Sequence, residues 1–184
     1  ATAGFYTWPY IPRHVDERSI ARLADDLIVE LTEGADGAEA TAGILKSAIH
    51  FDRIGGVEEK CLRAVARASI ATGAAITTHT PGTRRQEIPG ANVGMQHVRI
   101  LREEGVPLDR LVVGHTDEHA DINVLAELAE FGCYVQFDVL GKTHYMLDLT
   151  RAKLTREMIR RGHLKKILLG TDRCRRTELY EEHG

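Results

Sequence analysis

Cysteine is scarce: Cys61, Cys133 and Cys174 are odd in number, widely spaced and form no CxxC pair, which argues against a disulfide framework or a zinc ribbon. A reducing cytoplasm is therefore the expected compartment. Long apolar runs are missing too. None approaches the roughly 20 residues that a membrane-spanning helix needs, and "ATAGFYTWPY" has no basic segment leading into an apolar one, so no membrane association is expected. An excess of positive charge is absent: 24 Lys and Arg against 27 Asp and Glu leave a formal net charge of -3, which speaks against a nucleic-acid partner. The basic cluster "RCRRTE" is too short to reverse that. Finally, no glycine-rich phosphate loop of the Rossmann or Walker type follows any apolar run. The first residue is not methionine and the last stretch is "LYEEHG", so both ends read as cut from a longer protein.

What the chain does have is alternation. Short β-branched runs at 43–49, 74–80, 110–115, 133–138 and 166–172 are separated by longer stretches of helical period. "DERSIARLADDLIVELTEG" spaces Ile20, Leu23, Leu27 and Leu31 by three and four residues and stops at Gly34. "GVEEKCLRAVARASIATG" repeats the pattern and stops at Gly73. "GMQHVRILREEG", "DEHADINVLAELAEFG" and "TREMIRRGH" complete the series.

The last five runs end at Lys46, His79, His115, Asp138 and Asp172, which lie 33, 36, 23 and 34 residues apart. Such intervals suit the βα repeat of a parallel barrel, and a doubly wound sheet fits the alternation almost as well. The polar residues favour the barrel, because barrel enzymes draw their catalytic groups from the carboxyl ends of several strands. With "ATAGFY" as a further strand, the expectation is a (β/α)8 TIM barrel present as about six βα units and lacking the first two, all within one domain spanning 1–184.

Lys46 lies inside the apolar run "GILKSAI", where an unpaired ammonium loses its hydration. Three readings remain open: an ion-paired structural lysine, a Schiff-base lysine, or a metal ligand made anionic by carboxylation, since an ammonium has no lone pair to give a metal. His79 and His115 each close a run and each precedes a threonine. Either alone reads as a hydrogen-bonded structural histidine; together, at successive strand ends, they suit metal ligation by neutral imidazole. Asp172, closing "ILLGTD", is either a turn-capping residue or a carboxylate on the same rim.

The order Lys46, His79, His115, Asp172, in "GILKSAI", "RAVARASIATGAAITTHT", "LVVGHTDE" and "ILLGTD", resembles the phosphotriesterase family of the amidohydrolase superfamily, and its phosphotriesterase-related and lactonase-like members most of all. The resemblance implies a barrel hydrolase with two divalent metal ions, commonly zinc, acting on a small-molecule lactone, carboxylic ester or phosphoester through a metal-bridging hydroxide. It would make Lys46, carboxylated by CO2, the bridging ligand. His79 and His115 would hold the more exposed ion, and Asp172 the buried one while also handling the proton of the hydroxide. Tyr6 and Trp8 match an aromatic rim turned toward substrate, and Arg173, Arg175 and Arg176 are either contacts to an anionic substrate group or solvated loop charges. The resemblance also implies a homodimer.

Two departures stand out. The family's His-x-His pair on the first strand occurs nowhere in this chain, which implies a preceding segment of two βα units. Val139 stands where lactonase-like relatives tend to carry an arginine, and Asp138 before it is a partner of a ligand or only a polar strand end. The other histidines, His97 among them, are expected to be surface or capping residues. Two rival readings are a metal-free Schiff-base lyase built on Lys46 and a non-catalytic, ligand-binding or truncated member of the family.

Overall fold

The computed structural model describes residues 2–7, 9–35, 37–49, 54–80, 93–118 and 121–174. Six strands, β1 (Thr2–Gly4), β2 (Ile44–Ala48), β3 (Ile76–His79), β4 (Leu111–Val113), β5 (Tyr134–Phe137) and β6 (Ile167–Leu169), form a single sheet in the order of the chain. Every neighbouring pair is parallel. Between them run α1 (His14–Glu17), α2 (Ile20–Thr32), α3 (Gly56–Thr72), α4 (Val93–Glu103), α5 (Ile122–Glu130) and α6 (Asp148–Arg160).

Strictly sequential order separates the two architectures that alternation left open. A parallel crossover is almost always right-handed, so strands added always on the same side carry all their helices to one face of the sheet. A doubly wound sheet reverses direction partway and places helices on both faces. Here Leu45, Ile76, Leu111, Val113, Val135 and Phe137 are buried with Leu23 and Leu27 of α2, Leu62 and Val65 of α3, and Leu125 and Leu128 of α5 in one core. Each fully buried aliphatic side chain of this kind contributes about 1.5–3 kcal/mol.

The opposite face follows from the register. Gly4 is paired with Lys46, Lys46 with Thr77, Thr77 with Val112, Val112 with Tyr134, and Gln136 with Leu168. Paired residues in a parallel sheet share a face and alternate residues return to it, so Lys46, Thr77, His79, Val112, Tyr134 and Gln136 point away from the helices. In a closed barrel that face is the interior. Close approach between strands depends on small residues here: a Cβ on Gly114 would stand 2.3 Å from the Thr78 carbonyl oxygen, and one on Gly4, whose φ is +137°, would stand 2.0 Å from that of Lys46.

The helices form where the apolar period places them. Ser19 caps α2, its Oγ accepting the amide of Arg22 at 3.2 Å, and α3 ends on Gly73 at φ 79° in the left-handed conformation that glycine adopts most readily. Two elements depart from the sequence reading. The helix anticipated around "TREMIRRGH" begins at Asp148, because its inward stripe is Arg151, Leu154 and Met158, and a buried arginine hides the apolar period. The strand expected over 110–115 stops at Val113, because His115 turns into the left-handed region at φ 55°. Among the described residues no helix is long and apolar enough to cross a membrane.

Candidate active site

Lys46 is in the middle of β2 on the face without helices, and its Nζ donates to the Thr78 carbonyl oxygen at 3.2 Å. Burial lowers the pKa of its ammonium below the usual lysine range, against the pull of the Asp138 and Asp172 carboxylates. A larger fraction of the amine is therefore neutral than in an exposed lysine, and only the neutral amine can attack CO2 or a carbonyl.

His79, the last residue of β3, lies on the same face two residues beyond Thr77, the register partner of Lys46. Its ring meets that of His115 edge to face, with centroids 4.6 Å apart. On the other side Tyr6, 47% exposed, has its ring centroid 5.3 Å from that of His79. Tyr6 thus stands at the rim, and its hydroxyl pKa is raised by burial and by the nearby Asp172 carboxylate.

His115 lies two residues past β4 and is held by Asp138, which immediately follows β5. One carboxylate oxygen, Oδ1, accepts the His115 backbone amide at 2.9 Å and contacts the ring Nδ1 at 2.9 Å. With Nδ1 as the donor, a neutral ring keeps its lone pair on Nε2, the arrangement of a histidine poised to ligate. Burial alone would lower the His115 pKa, but the hydrogen bond and charge of Asp138 outweigh it and raise it above the ordinary value of 6.5. Of the two open readings of Asp138, the structure shows a partner of His115.

Asp172 follows β6 and also has a left-handed backbone, at φ 45°. These two are the only non-glycine residues of positive φ among the described residues. A conformation costing about 1–3 kcal/mol persists only where its surroundings impose it, and such residues cluster at functional sites. The Asp172 carboxylate accepts from Lys142 Nζ at 2.8 Å, and its carbonyl oxygen accepts from the same ammonium at 2.5 Å. Its charge raises the pKa of Tyr6 and His115 and partly offsets the lowering that burial imposes on Lys46. Arg173 is next in the chain and exposed. Trp8, Arg175 and Arg176 lie outside the described residues.

Lys46, His79, His115 and Asp172 are thus at the carboxyl end of one sheet. Among the described residues, however, no three His, Cys, Asp or Glu side chains converge closely enough to hold a metal ion. What converges is two imidazoles beside a lysine, with the nearby Asp172 engaged by Lys142. Such a set fits one divalent ion only if Lys46 itself supplies an anionic oxygen. Val139, in the position compared with an arginine, is 1% exposed and adds no cation to the mouth. His97, expected at the surface, is fully buried, because it shares the inward stripe of α4 with Val98 and Leu101. Lys142, Asp117 and Arg151, which join the site to α6, carry no motif that would have singled them out.

A sheet of this order, with lysine, histidine and aspartate at its strand ends, defines a parallel α/β barrel protein with its site on the carboxyl rim. The chain belongs to the phosphotriesterase family, whose model matches residues 1–184. It is 33% identical over 185 residues to the phosphotriesterase homology protein of Escherichia coli K12, covering 100% of this chain and 61% of that protein. The crystal structure of that protein, with phosphate in its active site, superimposes with a TM-score of 0.91 at 32% identity over 100% of this chain and 61% of the other. An N-acetyltaurine hydrolase of Bos taurus is 30% identical, covering 100% of this chain and 54% of its own length. A lactonase of Listeria monocytogenes has a TM-score of 0.87 at 25% identity, covering 100% and 59%. The chain therefore spans between half and two thirds of the length of these relatives.

Asp138→Asn leaves a side chain of the same shape without its charge. Outer partners of ligating histidines typically govern metal affinity by 10–100-fold, so if His115 ligates a metal ion a loss of about that size is expected in a chelator-competition titration. In the metal-free protein, the raised His115 pKa means that the charge-pair stabilisation is fully present below about pH 6.5 and is lost as pH rises through the folded-state pKa. Urea melts at several pH values should therefore show the parent's advantage over the variant shrinking as pH increases.

Proposed function

We propose that this chain carries one side of the active site of a metal-dependent hydrolase that cleaves a lactone, carboxylic ester or phosphoester. The observation that carries the proposal is the meeting of the His79 and His115 rings, 4.6 Å apart, beside the half-buried, pKa-depressed Lys46. In this reading His79 and His115 would hold one divalent ion, with zinc the metal expected, and a carbamate on Lys46 formed with CO2 would supply the anionic oxygen that the described residues lack. Asp172, with Lys46, serves a second ion. Bound divalent ions lower the pKa of coordinated water and polarise the substrate's carbonyl or phosphoryl oxygen.

The chain's own residues do the rest. Asp138 holds His115 in one tautomer and orientation. The Asp172 carboxylate accepts the proton of the attacking water and can return it to the leaving oxygen. Tyr6 would border the space that a substrate enters, and Arg173, exposed and next to Asp172 in the chain, would meet an anionic group on it. The names of the relatives support ester, lactone and amide substrates without choosing among them. A homodimer in the cytoplasm belongs to the same proposal and rests on the family resemblance. The pKa depression at Lys46 also suits an amine nucleophile, so the Schiff-base reading is kept as the alternative.

The test is a panel of lactones, aryl esters and phosphotriesters assayed on the full-length protein before and after chelation, with metal content measured in parallel. Chelation is expected to abolish turnover and zinc to restore it. Activity that survives complete metal removal would sink the proposal, and borohydride trapping of a carbonyl compound on Lys46 would establish the alternative.

A further inference from the structure

Arg151, in the first turn of α6, is the only Lys or Arg side chain among the described residues that is fully buried. Its guanidinium joins four partners. Nη1 donates to the Met146 carbonyl oxygen at 2.6 Å and to Asp148 Oδ1 at 2.7 Å; Nη2 donates to the Lys142 carbonyl oxygen at 3.2 Å; and Nε stands 2.9 Å from Asp117 Oδ2 as an ion pair rather than an aligned hydrogen bond. Asp117 is also fully buried, and its two carboxylate oxygens accept the backbone amides of Asp138 and Val139, each at 3.2 Å.

Two branches lead from this knot to the site. Through Asp117 the guanidinium fixes the end of β5, where the Asp138 side chain grips His115 at both its amide and its ring. Through the carbonyls of Lys142 and Met146 it fixes the loop between β5 and α6, from which Lys142 reaches Asp172. The branches end at His115 and Asp172, the two non-glycine residues among the described residues whose backbones lie in the left-handed region.

Stability alone does not account for the knot. A buried ion pair recovers little more than its desolvation cost, and apolar residues of similar volume serve a core at least as well. What a planar, multiply bonded guanidinium does supply is a fixed geometry for several acceptors at once. We propose that Arg151 is a positioning residue for the active site, aiming His115 through Asp117 and Asp138 and holding Lys142 on Asp172 through the loop. The inference rests on the functional reading above for what the aimed groups do, but not for the aiming itself.

Arg151→Lys keeps the charge and loses the fork. In the full-length variant, the downfield proton resonance of the His115 Nδ1–H, assigned by its loss in Asp138→Asn, is expected to broaden or vanish in the metal-free state while the thermal melt stays cooperative. In the metal-loaded state, kcat should fall about 10–100-fold with KM nearly unchanged, and chelator competition should show a similar loss of affinity. A cooperatively folded Arg151→Lys protein with the parent's resonance, affinity and kcat overturns the proposal.

If Arg151→Lys does not fold, Asp117→Asn carries the test, since it cuts only the branch to His115; an unchanged His115 resonance there overturns the proposal as well. If neither variant folds, the knot is a stability element and the positioning role is rejected. A parent protein that binds no metal defeats the functional reading, and the metal-free resonance still decides for or against Arg151.

Discussion

On the proposed function, Lys46→Met lowers hydrolysis by about a thousandfold or more while leaving the protein folded. Methionine is unbranched and of similar length, and it removes an ammonium whose desolvation the half-buried position makes unfavourable. What the variant loses is the lysine beside the two imidazoles, which as a carbamate would supply the anionic bridge of the proposal. Polarisation and nucleophile generation at such centres are worth several kcal/mol, and about 4 kcal/mol corresponds to a thousandfold in rate.

The checks are initial rates on the best ester or lactone substrate, metal content, and the mass of the intact parent protein under CO2-saturated conditions. Three outcomes separate the readings of Lys46. Loss of bound metal together with activity supports the bridging carbamate. Loss of activity with no metal in the parent, and labelling of the parent by borohydride, supports the Schiff base. Full activity in Lys46→Met leaves a lysine of structural role only.

Asp172→Asn should reduce kcat by about 10²–10⁴-fold with a much smaller change in KM, the range in which a positioned proton acceptor contributes. Asparagine keeps an oxygen for the Lys142 ammonium, which lies 2.8 Å from the carboxylate in the parent, so the contact that places the side chain can survive. A variant with a parent-like kcat would remove Asp172 from the proton path. A variant whose activity falls only in proportion to its loss of bound metal would limit Asp172 to ligation.

Much of this architecture was legible along the chain because the signals are local. Alternating β-branched runs and three-to-four periodicity located every strand and most helices, and Gly34 and Gly73 marked where two of the helices stop. The four candidate ligands were legible because each interrupts, ends or follows an apolar run. Lys46 was conspicuous as a charge among apolar neighbours, and His79 as a polar residue closing a strand. Where periodicity failed, burial of a polar residue was the cause: Arg151 hid the start of α6, and His97 on an inward stripe was misplaced to the surface.

Residue order and period by themselves determined that helices and strands alternate, that His79 closes a strand, that His115 and Asp172 follow one, and that Lys46 lies within one. Only the tertiary structure decided that the sheet is sequential with its helices on one face. The same chain pattern is compatible with a reversal of strand order, and only pairing distinguishes the two. It alone brought Asp138 to His115 across 23 positions and Lys142 to Asp172 across 30. It also set Arg151 on Asp117, although nothing in the identity of an arginine or an aspartate names its partner. Such contacts depend on where separate elements of the chain come to rest, and the burial that shifts the pKa of Lys46 and of His115 exists only once they have packed.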